Sequence, residues 1–189
     1  EILDRIDLNT SNNFLLSLPS MHDTNFRNSL VYIEKHSGDG AKGWVINKEV
    51  EPRVAVKLRK SIQLGVVCPI YYGGPVDVTQ VYVIHSAETQ ITDNTIQLNE
   101  NLCMTRDKKM IQMLNDNQFP NFWRVLIGNC TWGPGQLESE LLGSRTEGRS
   151  MWNVLPYSTE MMWDTAPTNQ WDSGVQKVAD MMTKSYLKF

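Results

Sequence analysis

The sequence predicts an α+β fold in a single domain that spans residues 1–189. Short apolar segments rich in β-branched and aromatic residues are interspersed with segments that place apolar residues at helical spacing. With 41% hydrophobic residues and six tryptophans, the chain can bury a substantial core, because such side chains must be hidden from water. No internal repeat, low-complexity segment or linker divides the sequence, which favours one domain over two.

The amino-terminal part predicts three strands, two of which form a β-hairpin. The apolar run FLLSL (14–18) stops at Pro19 and is typical of a buried strand. The segments 29–36 and 43–50 are rich in strand formers, and the turn-forming sequence SGDGAKG joins them. Together they predict a hairpin with a loop of about five to seven residues.

A helix is predicted over 53–64, directly after Pro52, because proline suits the first position of a helix. Val54, Leu58 and Ile62 lie four residues apart and define its apolar side, and Gly65 follows as a stop. The basic KLRK cluster is interpreted as a solvated helix face. Binding of nucleic acid there is not favoured, since no aromatic residues are interleaved to stack on bases.

The middle of the chain predicts four more strands and a second helix. Thr105 is predicted to cap that helix, which covers 106–115. The last of the strands, FWRVLIGN, is the most strongly apolar and is predicted to be buried on both faces. The four strands are 69–76, 81–86, 95–99 and 122–129.

The carboxyl-terminal part predicts helices around one short strand. Pro134 is predicted in the first turn of a helix that carries Leu137, Leu141 and Leu142. A polar loop at 144–150 and a strand at 151–155 follow, and then helical segments at 158–164 and 168–184. In the last helix one apolar stripe is predicted to face the core: Trp171, Val175, Val178 and Met182.

Composition and charge argue against several classes of protein. A formal net charge of -3 lacks the basic excess of nucleic-acid-binding domains, so direct nucleic-acid binding is not expected. The longest apolar runs, such as VLI at 125–127, are far too short to cross a bilayer, so no membrane association is expected. The three cysteines are odd in number and widely spaced, which indicates reduced thiols and a cytoplasmic location.

The segment GNCTWGPGQLE at 128–138 is the main candidate site. Its simplest interpretation is a strand-to-helix corner, with Trp132 packed beneath it and Glu138 stabilised by the helix dipole. The alternative is a polar or peptide-binding recess where this corner meets the Gly-Gly-Pro turn at 73–75. Glycines in both segments would let the backbone approach a ligand closely.

Cysteine and histidine support weaker hypotheses. Cys130 precedes the predicted helix start, where a thiol can have a lowered pKa and gain reactivity; the alternative is a small core residue. His22, His36 and His85 lie in a loop or at strand ends, and their spacing matches no zinc motif. No hydrolase elbow or phosphate loop is present, so we predict no metal and no cofactor, and the sequence assigns no catalytic residue.

Three segments resemble the AlgH-like family of bacterial proteins. They are 19–47 (beginning PSMHDTNF), YYGGPV at 71–76 and GNCTWGPGQLESE at 128–140, and the likeness covers most of residues 14–182. The resemblance implies a mixed, bifurcated β-sheet curled into a pseudo-barrel with flanking helices. The family name comes from a proposed role in transcriptional regulation of alginate synthesis, and it brings no assigned reaction or ligand. Gly-Asn-Cys-Thr-Trp replaces the family's usual Gly-Tyr-Ala-Gly-Trp, and Trp44 replaces a smaller residue.

Two functional hypotheses follow. The leading one is a cytoplasmic regulator of the AlgH-like type that acts through contacts with a partner protein, because no catalytic constellation is present. The alternative is an enzyme or small-ligand-binding protein that uses a recess between the three motifs. The predicted recess residues are Ser20, Met21, Asn47, Gly73, Gly74, Pro75, Trp132, Gly133, Gly135, Gln136 and Glu138. Direct DNA binding, a third hypothesis, would require the basic residues of 53–60 and 106–109 to share one face.

Overall fold

The computed structural model describes residues 9–21, 23–88, 93–143 and 150–186. His22 and most of the polar loop predicted at 144–150 lie outside the described residues. The strands are β1 Asn13–Ser17, β2 Leu30–Ser37, β3 Gly40–Val45, β4 Ile70–Tyr72, β5 Val76–Ser86, β6 Thr95–Asn99, β7 Leu102–Thr105, β8 Trp123–Trp132 and β9 Trp152–Pro156. The helices are α1 Pro52–Ser61, α2 Lys108–Asn115, α3 Gln136–Leu142 and α4 Pro167–Tyr186, with a π-helix at Glu160–Asp164.

The strands join in one sheet in the order β6-β7-β5-β8-β3-β2-β1-β9. β4 leaves this path and pairs with β8 in parallel, through Val125, Leu126 and Ile127, whereas β3 pairs antiparallel with β8 further along, from Cys130 to Trp132. The sheet therefore forks at β8, and it curls into a half-barrel within a single domain. The predictions of an α+β class and of a mixed, bifurcated sheet are confirmed.

Helices cover both faces of this sheet and divide the core into three clusters. On one face, the π-helix and α4 pack against residues from most of the strands, including Phe14, Trp44 and Tyr82. On the other face, α3 covers β1, β2, β3 and the end of β8 around Trp132 and Trp152. α1 and α2 cover the rest of that face, around β4, β5 and the start of β8. β8 contributes to all three clusters, which explains why it is buried almost throughout.

Two local predictions are corrected by the strand ladders. Ser37 pairs directly with Gly40, so the β2–β3 loop contains only Gly38 and Asp39 instead of five to seven residues. This tight turn was not predicted because three glycines in seven residues favour a longer loop. Thr105 ends the strand β7 and does not cap a helix; the carboxylate of Asp107 accepts from the Lys109 amide and caps α2 instead.

The apolar helix faces are narrower than predicted. In α1 the buried residue is Ala55, whereas Val54 is 44% exposed, because the helix is rotated relative to the predicted face. Leu142 and Met182 are both 55% exposed. Pro134 precedes α3, which begins at Gln136 with Gly135 as its N-cap. Tertiary packing, not the spacing of apolar residues alone, decides which side of each helix is buried.

Arg124 of β8 holds the carboxyl-terminal elements on the sheet. Its guanidinium donates to the Ile46 carbonyl (2.9 Å), the Gln170 side-chain oxygen (3.0 Å) and the Met162 carbonyl (2.9 Å). Burial lowers the pKa of Arg124 to about 10, and no carboxylate in the described part of the chain forms an ion pair with it. A buried cation that bonds to neutral acceptors in the π-helix, in α4 and directly after β3 fixes the π-helix and α4 in place.

Replacing Arg124 by Met should destabilise the protein by about 3 kcal/mol, because three buried acceptors would lose their donor. Urea unfolding followed by circular dichroism measures the loss. Lys177→Met is the matched control, since Lys177 makes an exposed ion pair with Glu160 at 3.6 Å and its removal should cost less than about 1 kcal/mol. Equal effects of the two substitutions would contradict the role given to Arg124.

Candidate functional site

The first and third sequence motifs meet on the face of the sheet that α3 covers, and the second motif contacts both of them through the Gly73 carbonyl. Met21 from the first motif packs in the same cluster as Cys130 and Trp132 from the third. The indole of Trp132 lies 6.4 Å from that of Trp152 in an edge-to-face arrangement, and Phe26 contacts Trp152 in the same way. Distant segments are therefore brought together, and the side chains between them fill the space with a packed apolar cluster.

The Gly-Gly-Pro turn lies against the backbone of β8. The Gly73 carbonyl accepts from the Val45 amide at 2.8 Å, and the Gly73 amide donates to the Ile127 carbonyl at 2.7 Å. Gly73 and Gly74 are buried, while Pro75 is exposed. The two glycines therefore allow two segments of the protein's backbone to approach each other closely. In the recess hypothesis, the same glycines would instead allow the backbone to approach a ligand.

The Asn47 side chain is hydrogen-bonded within the protein, whereas Ser20 is exposed. The Asn47 side chain accepts from the Leu30 amide at 2.9 Å and donates to the Asn28 carbonyl at 3.0 Å, so it fixes the chain before β2. Ser20 is exposed beside the buried Met21. Ser20 is therefore the more exposed of these two polar residues.

At the start of α3, a side chain of the helix itself accepts a hydrogen bond from the preceding backbone. The side-chain oxygen of Gln136 accepts from the Gly133 amide at 3.0 Å, and Gly135 adopts a left-handed conformation with φ +74°. Gly133 and Gly135 are exposed, and Trp132 is buried beneath them. This geometry favours the strand-to-helix corner, because Gln136 is used to close the turn.

Glu138 forms a hydrogen-bonded chain with His36 and Thr10. The Thr10 amide donates to Nδ1 of His36 at 3.0 Å, which assigns the ring proton to Nε2, and Nε2 donates to the Glu138 carboxylate at 2.6 Å. The Thr10 hydroxyl lies 2.9 Å from the same Nδ1. Such a chain could move a proton from the hydroxyl to the imidazole, but Thr10 is only 4% exposed. The chain acts as a clamp between the segment before β1, the end of β2, and α3.

Cys130 does not have the environment of a reactive thiol. It is 1% exposed, and burial raises the pKa of its thiol to about 12, the opposite of the lowered pKa in the hypothesis. The Cys130 thiol lies 3.5 Å from the Gly73 carbonyl, to which it donates. Position on a buried strand, several residues before α3 begins, outweighs any effect of the helix dipole.

The described histidines lie apart in two separate networks. His36 belongs to the clamp with Glu138, whereas Nε2 of His85 lies 2.8 Å from the Thr105 hydroxyl between β5 and β7. Burial lowers the pKa of His85, which favours the neutral form of its imidazole. Across the ranges that the structure describes, no three metal-ligating side chains cluster.

Two surface features were not predicted from the sequence. One is an aromatic surface at the start of β8, where Phe119 and Phe122 are 40% and 45% exposed. Three aromatic residues in the five-residue segment FPNFW were the available signal. The other is a cavity of about 670 Å³ between α1, α2, β5 and β7. No local motif in the sequence indicates this cavity, because its walls come from four separate parts of the chain.

Comparison with known proteins tests the likeness of the motifs. The model of the AlgH-like family matches residues 14–182. This chain belongs to the AlgH-like family. A UPF0301 protein of Dechloromonas aromatica is 28% identical over 183 residues, covering 94% of this chain and 95% of that protein. A UPF0301 protein of Vibrio parahaemolyticus is 27% identical over 180 residues, covering 90% and 92%.

Solved structures extend the likeness of this AlgH-like chain to the fold. The solution structure of the AlgH protein from Pseudomonas aeruginosa has a TM-score of 0.71 and 25% identity, covering 89% of this chain and 88% of that one. A crystal structure of a Corynebacterium diphtheriae protein has a TM-score of 0.60 and 25% identity, covering 79% and 76%. In the described ranges of this chain, none of the helices combines the length and apolarity that a membrane span requires.

Replacing Gly74 by Ala should destabilise the protein by about 3 kcal/mol, because its φ of +150° is unfavourable for other residues and a Cβ would clash with the Asn129 carbonyl. Urea unfolding measures the change. Gly133→Ala is the control: its nearest new neighbour would be the Gln136 side-chain oxygen at 3.9 Å, so the unfolding midpoint should barely move. A harmless Gly74→Ala would contradict the structural role of this turn.

Alkylation by iodoacetamide at mildly alkaline pH should modify Cys68 in the folded protein well before Cys130. Cys68 is partly exposed, whereas Cys130 is buried with a pKa raised to about 12, so its thiolate is scarce and inaccessible. Peptide mass spectrometry of timed samples measures both sites, and unfolding in concentrated urea should remove the difference. Faster modification of Cys130 in the folded state would restore the reactive-thiol hypothesis.

Proposed function

We propose that this AlgH-like chain is a cytoplasmic interaction protein whose regulatory action runs through contact with a partner protein. The observation that carries the proposal is the aromatic edge, defined as Phe119, Phe122, Trp123 and Trp163. Large aromatic side chains dominate the energetics of protein interfaces, and exposed ones mark candidate contact sites. The cytoplasm is supported by the cysteines, all three of which are free thiols.

The aromatic edge presents its rings in fixed positions. Phe122 stacks on Trp163 with ring centres 5.8 Å apart and an interplanar angle of 22°. Phe119 contacts Trp123 at 5.8 Å. The guanidinium of Arg124 lies 5.4 Å from the Trp163 ring centre, which links the edge to the buried network of the core. Rings held in this way lose little conformational entropy when a partner covers them.

The backbone that carries these rings is also fixed. The Phe122 amide donates to the Ser86 hydroxyl at 3.0 Å, and the Phe122 carbonyl accepts from the Ser86 amide at 2.9 Å. The Asn121 amide donates to the Glu88 carboxylate. Because the segment is anchored to the end of β5, exposure of the two phenylalanines does not reflect a loose loop. A preformed apolar surface favours docking of a complementary partner surface.

Ligand binding between the three motifs, the alternative hypothesis, has less support. Met21, Cys130 and Trp132 fill the space between the motifs, and the Gly73 and Gly74 backbones contact β8. A ligand there would have to displace packed side chains. The exposed residues Ser20, Pro75, Gly133 and Gly135 remain available as part of a contact surface for a protein partner.

Substitution of Phe122 by Ser should weaken partner binding roughly thirtyfold or more, the loss expected for an aromatic anchor. The measurement is a quantitative pull-down from a lysate of the source organism, followed by titration of the recovered protein. Val67→Ser is the matched control, since Val67 is 89% exposed and lies outside the aromatic edge. Equal retention of the partner by both variants, with unchanged thermal midpoints, would refute the proposed contact.

A further inference from the structure

The strand β9 forms one edge of the sheet, and part of its backbone points away from the strand it pairs with. Its ladder partner is β1, which runs antiparallel to it. In the continuation of this ladder the Leu18 amide donates to the Met151 carbonyl at 3.1 Å, so every second residue from Met151 onward directs its N–H and C=O toward β1. The backbone groups of Trp152, Val154 and Pro156 therefore point outward from the edge.

The outward groups of β9 differ in their hydrogen bonds. The Trp152 carbonyl accepts from the Ser150 hydroxyl at 2.9 Å, whereas the Trp152 N–H lies 3.4 Å from the same oxygen, which is a weak contact. Among the described residues, neither the N–H nor the C=O of Val154 has a hydrogen-bond partner. Pro156 offers only a carbonyl, because proline has no N–H. An edge with free donors and acceptors is a template for pairing with another strand.

This pattern of donors and acceptors is complementary to itself. When two copies of β9 pair antiparallel about Val154, the N–H and C=O of Val154 bond to the same residue of the second copy. Trp152 then lies opposite the second copy's Pro156, whose carbonyl accepts from the Trp152 N–H. Pro156 cannot donate in return, but the Trp152 carbonyl opposite it already accepts from Ser150. In this register every outward backbone group of β9 has a partner.

The surface beside this edge is apolar and uncharged. A cavity of about 450 Å³ lies between β9 and the end of α3, and none of the described residues around it carries a charge. Leu142 and Val154, which are 55% and 40% exposed, both line it. Charged residues, which block the edges of many sheets, are absent from β9, and its proline stands at the end of the strand. Two copies can therefore meet here without placing like charges opposite each other, although each has a net charge of -3.

We propose that two copies of this chain form a symmetric dimer through β9, with one sheet continuous across both copies. A two-fold interface uses the same surface on each copy, as the pairing of Val154 with itself requires. A second copy suits this edge better than an unrelated strand, because opposite Trp152 it supplies an acceptor and no donor. Burial of Val154 and Leu142 from both copies adds an apolar contribution. β9 contains none of the residues of the aromatic edge, so this interface does not depend on the proposed function.

Sedimentation velocity of the full chain over a range of concentrations should show a 21.6 kDa monomer in equilibrium with a species of twice that mass. Val154→Pro removes the central donor from both copies and should raise the Kd of the dimer at least about tenfold. Because that N–H has no partner among the described residues, the monomer should keep its fold, which circular dichroism checks. The matched control, Val154→Thr, keeps the N–H and the branched side chain and should keep the dimer.

A pair of charged variants tests the register of the two strands. Val154→Lys alone and Val154→Glu alone each place like charges opposite each other on the two-fold axis, so each variant should be monomeric. An equimolar mixture of the two variants should recover the dimer, because lysine then faces glutamate. Recovery in the mixture requires that position 154 of one copy lies beside position 154 of the other, and it does not depend on whether Val154→Pro folds.

The proposal is overturned by a wild-type chain that stays monomeric, by an unchanged dimer in folded Val154→Pro, or by a mixture of the charged variants that stays monomeric. Hydrogen exchange of the Val154 amide, followed by NMR, identifies other occupants of the edge. Protection in a monomer would assign the edge to a segment of the same chain, and protection only in a complex with another protein would assign it to that partner. The dimer should persist in Phe122→Ser; its loss there would place the interface at the aromatic edge instead.

Discussion

The whole fold depends on the close approach of the Gly-Gly-Pro turn to β8. β4 and β5 pair with opposite edges of β8, so the Gly-Gly-Pro turn that joins them has to cross the backbone of β8. Beyond this crossing, β3 takes the place of β4 on the same edge of β8. The backbones of Gly74 and Gly128 contact each other there, and a side chain on either would collide with main-chain atoms. Because β3 pairs with β8 at this fork and with β2 on its other side, it positions the hairpin and the rest of the half-barrel. The chain then continues from the end of β8 into α3.

Arg124, the buried cation of β8, attaches the π-helix and α4 to the sheet. Arg124 bonds to Ile46, Met162 and Gln170, so the strand that organises the sheet also positions the π-helix and α4. Its ring contact with Trp163 then supports Phe122 at the aromatic edge. A single strand thereby couples the core to the surface that we propose as the partner contact. The cavity between α1 and α2 depends on the same strand through Val125 and Ile127 in the shared cluster.

Elements with a strong local signal were predictable from the sequence, and those defined by distant contacts were not. β8 and the stripe at Trp171, Val175 and Val178 follow from apolar pattern alone. β7 was missed because four consecutive buried residues lack the alternation of a half-buried strand. The His36–Glu138 contact was beyond prediction, since 102 residues separate the partners and each one alone is compatible with a surface position.

In the third motif the structure favours the simpler of the two interpretations, a strand-to-helix corner with Trp132 packed beneath it. Glycine, tryptophan and glutamine in the third motif resemble a binding corner, yet the structure uses Gln136 to close the turn and Trp132 to fill the core. Where this chain departs from the family pattern, the new residues satisfy one another: Asn129 donates to the Tyr82 hydroxyl at 2.9 Å and accepts from Thr131 at 2.8 Å. The polar side chains of Asn129 and Thr131 are therefore hydrogen-bonded within this chain. In this chain the motif residues therefore serve the fold, and the surface that we propose for the partner contact, the aromatic edge, lies outside them.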